Sequence, residues 1–275
     1  MSYTVNPFKT CAIAIIPARY AATRLPGKPL LDLCGKPMIV RTLERALAAQ
    51  NVSRAVVATD DQRIYQAVCR AGYEAVMTSP AHKSGSDRLA EVAEKLEKGA
   101  IIVNVQGDEP LIDPRTIELA VEALVSDSVC SIATTCEKFT NVADILSPDV
   151  VKVVADDTGR ALYFSRSAIP FPRDAARRHG SLELALRAEP DLLQLFRKHT
   201  GLYVYRREFL LEYTRWPQTP WERAESLEQL RALERGAVIR VVESAAPSLG
   251  VDTTEDLERA RELLQRELPQ SNMSA

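Results

Sequence analysis

The chain has 275 residues, 46% of them apolar and 26% charged, with 35 Lys and Arg against 37 Asp and Glu for a net charge of −2. That balance argues against a disordered tract, a broadly basic nucleic-acid binder and a protein held on anionic membranes. No apolar run approaches the ~20 residues that span a bilayer, and the length suits one large or two small domains.

Residues 1–10 lack the apolar centre of a secretory signal. The five cysteines are odd in number and contain no C-x-x-C pair. Four lie in apolar or helical surroundings, which reads as reduced, buried thiols. The expectation is a cytoplasmic protein with no membrane insertion and no nucleic-acid partner.

Residues 11–16 predict a buried strand bounded by Pro17. Met38, Ile39, Leu43, Ala46 and Leu47 share one face of a helix over 37–50. A strand at 54–59 leads to a helix over about 61–71, stopped by Gly72. Residues 74–77 form a short strand, 86–96 a helix, and 100–105 a strongly apolar strand. A helix over 114–125 carries proline in its first turn and precedes a strand at 129–135. Continuously apolar strands alternating with helices predict an α/β fold whose mainly parallel sheet is covered on both faces.

The rhythm then breaks. Segments 150–155 and 161–164 flank Asp156-Asp157-Thr158-Gly159, a hairpin signal. A proline-rich stretch and a polar one, to about Pro190, give no regular reading. A strand at 198–206, helices over 208–213 and 221–235, a strand at 238–242 and a helix over 253–266 complete the chain. One domain over 11–266 is expected, with about 150–215 as an inserted lobe or dimerisation element and 1–10 and 268–275 as flexible tails.

In open α/β sheets ligands bind beyond the carboxyl ends of the strands. The first strand runs into a loop that carries Arg19, Arg24 and Lys28, with Gly27 leaving room for an anion to approach the backbone. A polyphosphate needs such neutralisation as its leaving group departs; a solvated connection is the plain alternative. Pro29 after Lys28 rules out a Walker loop, and no G-x-G occurs anywhere. Gln106-Gly107-Asp108-Glu109-Pro110 puts two carboxylates at another strand end, suited to Mg²⁺ or to a simple turn. Asp252 suits a ligand or a helix N-cap, as Asp60, Asp61 and Ser86 do. Glu225 and Gln229, four apart, share a helix face that is either solvated or the polar wall of a sugar pocket. Three histidines without H-E-x-x-H, G-x-S-x-G or a Cys/His signature give hydrolase chemistry little support.

Taken in order, these segments resemble the 3-deoxy-D-manno-octulosonate (Kdo) cytidylyltransferases. The matching pieces include Ile15-Ile16-Pro17-Ala18-Arg19-Tyr20, Thr23-Arg24-Leu25-Pro26-Gly27-Lys28-Pro29-Leu30 and Val103-Asn104-Val105-Gln106-Gly107-Asp108-Glu109-Pro110. Ala161-Leu162-Tyr163-Phe164-Ser165-Arg166, Leu227-Glu228-Gln229-Leu230-Arg231 and Gly250-Val251-Asp252-Thr253 follow. The resemblance implies a Rossmann-like, three-layer nucleotide-diphospho-sugar transferase fold with a mainly parallel mixed sheet, a smaller dimerisation or sugar-binding lobe, and a homodimer. It implies the reaction CTP + Kdo → CMP-Kdo + pyrophosphate, serving lipopolysaccharide synthesis, with the sugar 2-hydroxyl attacking the α-phosphorus. Arg19, Lys28, Asp108 and Asp252 would be catalytic, the two aspartates holding Mg²⁺. Ala18, Arg19, Thr23, Lys28, Ser84 and Arg88 would contact the nucleotide. Arg24, Gln106, His199, Tyr203, Glu225 and Gln229 would surround the sugar.

Ala22 stands where the family commonly has a hydroxyl, which leaves Thr23 to serve; residues 172–190 match no family pattern. Rival readings are a transferase for the 8-amino analogue or for sialic acid, and a silent nucleotide-binding protein. Lys28, Asp108 and Asp252 are all present, against the last of these.

Overall fold

The apolar run near the start of the chain forms β1 (Ala12–Ala18), from which the sheet grows on both sides; the computed structural model describes residues 11–21, 25–82 and 84–267. The expected flexible tails lie outside the described residues. A small hairpin, β2 (Asp32–Leu33) and β3 (Lys36–Pro37), turns at Cys34 and Gly35. Then come α1 (Met38–Ala48), β4 (Val52–Thr59), α2 (Gln62–Arg70), β5 (Glu74–Met77), α3 (Gly85–Ala93) and β6 (Ile101–Asn104). They are followed by α4 (Pro114–Ser126), β7 (Cys130–Lys138), α5 (Val142–Leu146), β8 (Lys152–Ala155) and β9 (Ala161–Ser165). The remainder comprises α6 (Arg173–His179), α7 (Leu182–Ala188), β10 (Arg197–Arg206), α8 (Arg207–Tyr213), α9 (Pro220–Glu225), α10 (Gln229–Glu234), β11 (Val238–Glu243) and α11 (Thr254–Glu267).

The main sheet runs β11-β7-β10-β6-β1-β4-β5. Its pairs are parallel except at β10, which is antiparallel to both β6 and β7. Ile15, Ile16, Val56, Val57, Ile102 and Val103 are all buried, because helices cover both faces of these strands. Ile39, Leu43, Ile64, Ile117 and Leu124 pack on one face, and Leu89, Val92, Leu210, Tyr213 and Leu230 on the other. The architecture is three-layered α/β with a mixed, mostly parallel sheet. Among the described residues no helix is long and apolar enough to cross a membrane.

The middle of the chain differs from its sequence reading. β8 and β9 form the expected hairpin. The unread stretch folds into α6, α7 and a 3-10 turn at Pro190–Leu195. Its small core joins Phe139, Ile145, Leu186 and Phe196, so the local packing unit starts before residue 150 and ends before β10. β10 itself belongs to the centre of the main sheet. The single helix expected over 221–235 is two helices, broken at Ser226 with φ 53° and ψ 47°. The cysteines also depart from expectation: all five are free, but only Cys130 and Cys136 are buried, while Cys11 and Cys69 are exposed.

Candidate active site

Three segments far apart in sequence meet at the carboxyl ends of β1 and β6. After β1, Gly27 adopts φ 69°, and a Cβ there would fall 3.1 Å from the Tyr20 hydroxyl. This left-handed turn opens a 3-10 turn at Lys28–Leu30, stiffened by Pro29, that aims Lys28 inward. After β6, Gly107 lies against β1: a Cβ there would sit 3.0 Å from the Pro17 carbonyl oxygen. The chain can therefore turn tightly enough to present Asp108. The third segment is tied on by the Val251 amide, which donates to the Asp108 carbonyl at 2.9 Å.

Lys28 Nζ bridges the two carboxylates, 2.7 Å from Asp108 Oδ2 and 2.9 Å from Asp252 Oδ1. Burial disfavours its ammonium, but Asp108 and then Asp252 outweigh it and hold the pKa above the usual lysine value. Asp252 does not cap α11. Thr253 and Asp256 exchange side-chain and backbone hydrogen bonds at that helix start, leaving the Asp252 carboxylate for Lys28.

Arg19 leaves the end of β1 and donates through Nη2 to the His82 carbonyl at 2.6 Å, with the Ser84 carbonyl at 3.4 Å. His82 Nε2 lies 2.5 Å from Glu91 Oε2, which also accepts from the Ser79 amide. Ser84, rather than Ser86, caps α3, in a reciprocal box with Asp87. Asp61 caps α2, as its sequence position suggests. Ala18 is buried at the end of β1. Thr23 and Arg24 lie outside the described residues.

Beside these groups is a cavity of about 210 Å³ between α3, the end of β6, β10, α8 and the break before α10. Gln106, Tyr203 and Gln229, three of the residues expected around a sugar, line it. Tyr203 stacks on Tyr205 at 5.9 Å between ring centroids, and Tyr205 on Tyr213 at 6.4 Å. Gln106 donates to the Gly201 carbonyl at 3.1 Å. Asn104 is 4% exposed, and its Oδ1 has no hydrogen-bond partner among the described residues. Glu228 accepts from Ser86 Oγ at 2.9 Å; burial, the largest influence, raises its pKa above the usual carboxylate range.

A family model described as cytidylyltransferase matches residues 13–242. The chain belongs to the cytidylyltransferase family. It is a nucleotidyltransferase, and its likeness to the 3-deoxy-manno-octulosonate cytidylyltransferases extends over most of its length. It is 53% identical to the protein of that name from Trichlorobacter lovleyi, covering 92% of this chain and 98% of the relative. Identity to the one from Marinobacter nauticus is 48%, covering 97% of this chain and 98% of the relative. Among solved structures, the CMP:2-keto-3-deoxy-manno-octonic acid synthetase complexed with CTP matches with a TM-score of 0.83 at 44% identity, covering 94% of this chain and all of that one. The 4-diphosphocytidyl-2C-methyl-D-erythritol synthase from Anaerococcus prevotii, with a TM-score of 0.57 at 14% identity, covers 94% of this chain and 98% of its own and shares the fold.

Three residues expected at the site of this cytidylyltransferase have other employment. Arg88 is wholly buried, bonded to Thr78 and, at 2.7 Å, to Asp60, so its guanidinium ties β4 to β5 beneath α3 instead of facing a nucleotide. His199 pairs with Thr134 Oγ1 at 2.9 Å and lines a separate cavity of about 170 Å³ with Glu109 and Lys198. Burial lowers its pKa to about 3, so it is neutral. Glu225 accepts from Ser165 Oγ at 2.6 Å and from the Arg166 amide at 2.8 Å, outside the tyrosine-lined cavity. The helix break at Ser226 explains this: Glu225 and Gln229 do not share a helix, and Glu228 enters the wall instead. Glu228 stood in a recognised motif, but uninterrupted helical spacing favoured Glu225.

Proposed function

We propose that the chain transfers CMP from CTP to 3-deoxy-D-manno-octulosonate and releases pyrophosphate, supplying activated sugar for lipopolysaccharide synthesis in the cytoplasm. The observation that carries this reading is the meeting of Lys28, Asp108 and Asp252 beside a polar, tyrosine-lined cavity. The names of the relatives support the same substrates.

In this mechanism Arg19 and Lys28 neutralise the triphosphate, so that charge gathering on the departing pyrophosphate meets cations already in place. The sugar 2-hydroxyl oxygen bonds to the α-phosphorus as the bond from that phosphorus to the β-phosphate bridging oxygen breaks, pyrophosphate carries off that bond's electron pair, and the hydroxyl proton passes to solvent water. Gln106, Tyr203, Glu228 and Gln229 orient the sugar, with Asn104 Oδ1 free to accept from one of its hydroxyls. The neutral, Thr134-bound His199 is not the base.

Asp108 and Asp252 fit Mg²⁺: both are hard oxygen donors, and their oxygens converge on one point that the Lys28 ammonium takes here. Asp108 and Asp252 would hold the ion, and its charge would supply Lewis-acid polarisation of the phosphate and acidify the sugar hydroxyl. Among the described residues no group of three or more His, Cys, Asp or Glu side chains could hold a metal, so the nucleotide's phosphates and water would complete its shell.

Within this proposal residues 11–266 act as one unit and pair as a homodimer. Among the described residues β9 pairs only with β8, and Leu162 and Phe171 nearby are about 60% exposed. Light scattering on the purified protein should give twice the chain mass; the mass of one chain would remove the homodimer. The function is tested by Mg²⁺-dependent pyrophosphate release from CTP with Kdo, its 8-amino analogue and N-acetylneuraminate. Release with Kdo, together with CMP-Kdo in the product, is expected. Release only with another of the three moves the substrate, and release with none refutes the transferase reading.

A further inference from the structure

The cavity wall formed by Leu227, Glu228 and Gln229 is held in an unusual way. It begins at Ser226, a non-glycine residue in the left-handed region at φ 53°, a disfavoured conformation that persists only where the surroundings enforce it. The enforcement comes from β9. Arg166 donates through Nε to the Glu225 carbonyl at 2.6 Å, with Nη2 3.5 Å from the Ser226 carbonyl. In return the Glu225 carboxylate accepts from Ser165 Oγ and from the Arg166 amide. Four hydrogen bonds therefore join two consecutive residues on each side.

The clamp is anchored further out. Arg166 Nη1 donates to the Pro148 carbonyl at 2.9 Å. Lys152, wholly buried, donates to the carbonyls of Arg166, Val150 and Ser147 at 2.5, 2.6 and 2.8 Å. A buried ammonium is tolerated because three carbonyl oxygens replace its water. It fixes the loop before β8, the β8–β9 hairpin and the Arg166 backbone to one point. On the inner side Tyr213 donates to the Glu228 carbonyl at 2.7 Å. The wall is thus gripped from both ends, while Arg166 and Glu225 themselves stay out of the cavity.

We propose that Arg166 and Glu225 are positioning residues: together they fix the Ser226 turn and thereby set how tightly the cavity binds its sugar acid. The inference rests on the reading of that cavity as the sugar site. A hydrogen-bonding wall discriminates only if its groups are held within about 0.5 Å of their working places. The pair acts on Glu228 and Gln229 through the main chain and touches neither substrate.

The test uses Arg166→Met, Arg166→Lys and Glu225→Gln in the full-length protein, with two readouts. The first is amide hydrogen exchange: residues 227–229 should exchange at least tenfold faster in Arg166→Met, while α3, on the opposite wall, keeps its wild-type rates. The second is steady-state kinetics: KM for Kdo should rise at least tenfold in Arg166→Met and Glu225→Gln, with KM for CTP and kcat within about twofold. Arg166→Lys, which keeps a cationic donor but loses the planar guanidinium fork, should recover part of both effects, and the double variant should be no worse than the worse single.

Unchanged exchange at 227–229 in a folded Arg166→Met protein overturns the clamp. Equal rises in both KM values, or additive effects in the double variant, overturn it as well. Exchange needs no substrate, so the clamp is decided even if the wild-type protein does not turn over Kdo, an outcome that would instead sink the functional reading.

Discussion

The two ends of the site are built on opposite principles. At the end proposed to take the phosphates, Lys28, Asp108 and Asp252 come from three loops and keep some contact with water, with side-chain exposures of 15, 33 and 56%. At the end proposed to take the sugar, Tyr205, Tyr213, Gln229 and Asn104 are buried, and among the described residues Glu228 is the one carboxylate in the lining. A triphosphate arrives with its own charge and counter-ions, so the protein needs cations and carboxylates near an open edge. A sugar acid is told from its analogues by hydroxyl positions. That requires a desolvated wall, where each missed hydrogen bond costs about 1–3 kcal/mol.

The sharpest way to break this comparison is at the phosphate end. Asp108→Asn should lower kcat by about 10²–10³-fold at saturating Mg²⁺, the scale of losing one group that stabilises transition-state charge. Its melting temperature should stay close to wild type, because the residue is partly exposed. Asp252→Asn should behave alike. A kcat within threefold of wild type would strike that residue from the catalytic set.

Arg88→Met asks whether the floor under the nucleotide side is structural. It leaves Asp60 without its buried guanidinium and should cost about 2–3 kcal/mol in urea unfolding, below the usual cost of breaking a buried pair because Asp60 keeps some water. KM for CTP should be unchanged. A stable variant with a tenfold higher KM for CTP would restore Arg88 as a nucleotide contact. At the other end, Glu228→Gln should raise KM for the sugar about tenfold and leave that for CTP alone, because a charged hydrogen-bond acceptor becomes neutral. Equal effects on both substrates would mean the two ends are not separable.

Most of the α/β frame was legible because its central strands carry apolar runs, such as Ala12–Ile16 and Ile101–Val103: β5 fell on the expected residues, and β1, β4, β6 and β11 shifted by no more than two at either end. Asp108 and Lys28 stood out as candidates because strand ends and glycines advertise a site, and the fold brings their side chains together. What could not be read arose from long-range geometry. Nothing in the spacing of Glu225 and Gln229 reveals that Ser226 leaves the helical region, because that turn depends on Arg166, sixty positions away. Arg88 looked available because a cation at a helix start usually faces solvent; only the packing of α3 over β1 and β4 buries it. The helices after Pro172 carry weak apolar faces and dock on Phe139 and Phe196, contacts that a local pattern does not contain.

His199 provides the smallest test, and one that separates a sugar ligand from a structural residue. Burial lowers its pKa to about 3 against an ordinary 6.5, so the unfolded chain takes up a proton below pH 6.5 that the folded protein refuses until about pH 3. Its contribution is therefore whole above pH 6.5 and is lost as the pH falls, at up to about 1.4 kcal/mol per pH unit. Glu109, in the same small cavity, works the other way. Burial, reinforced by Asp108, pushes its pKa up to about 7, so the fold gains as the pH drops from 7 towards 4.5. Wild-type stability alone would hide both effects, and the informative quantity is the difference between wild type and His199→Gln. Glutamine keeps a partner for Thr134 but takes up no proton, so the variant should gain about 1 kcal/mol relative to wild type between pH 7.5 and 5.5. Its KM for the sugar should stay within twofold. A stability difference that does not move with pH would mean that His199 titrates normally and is exposed to water. A large rise in the sugar KM would return it to the substrate, and the division between a tyrosine-lined sugar wall and a separate cavity behind β10 would have to be redrawn.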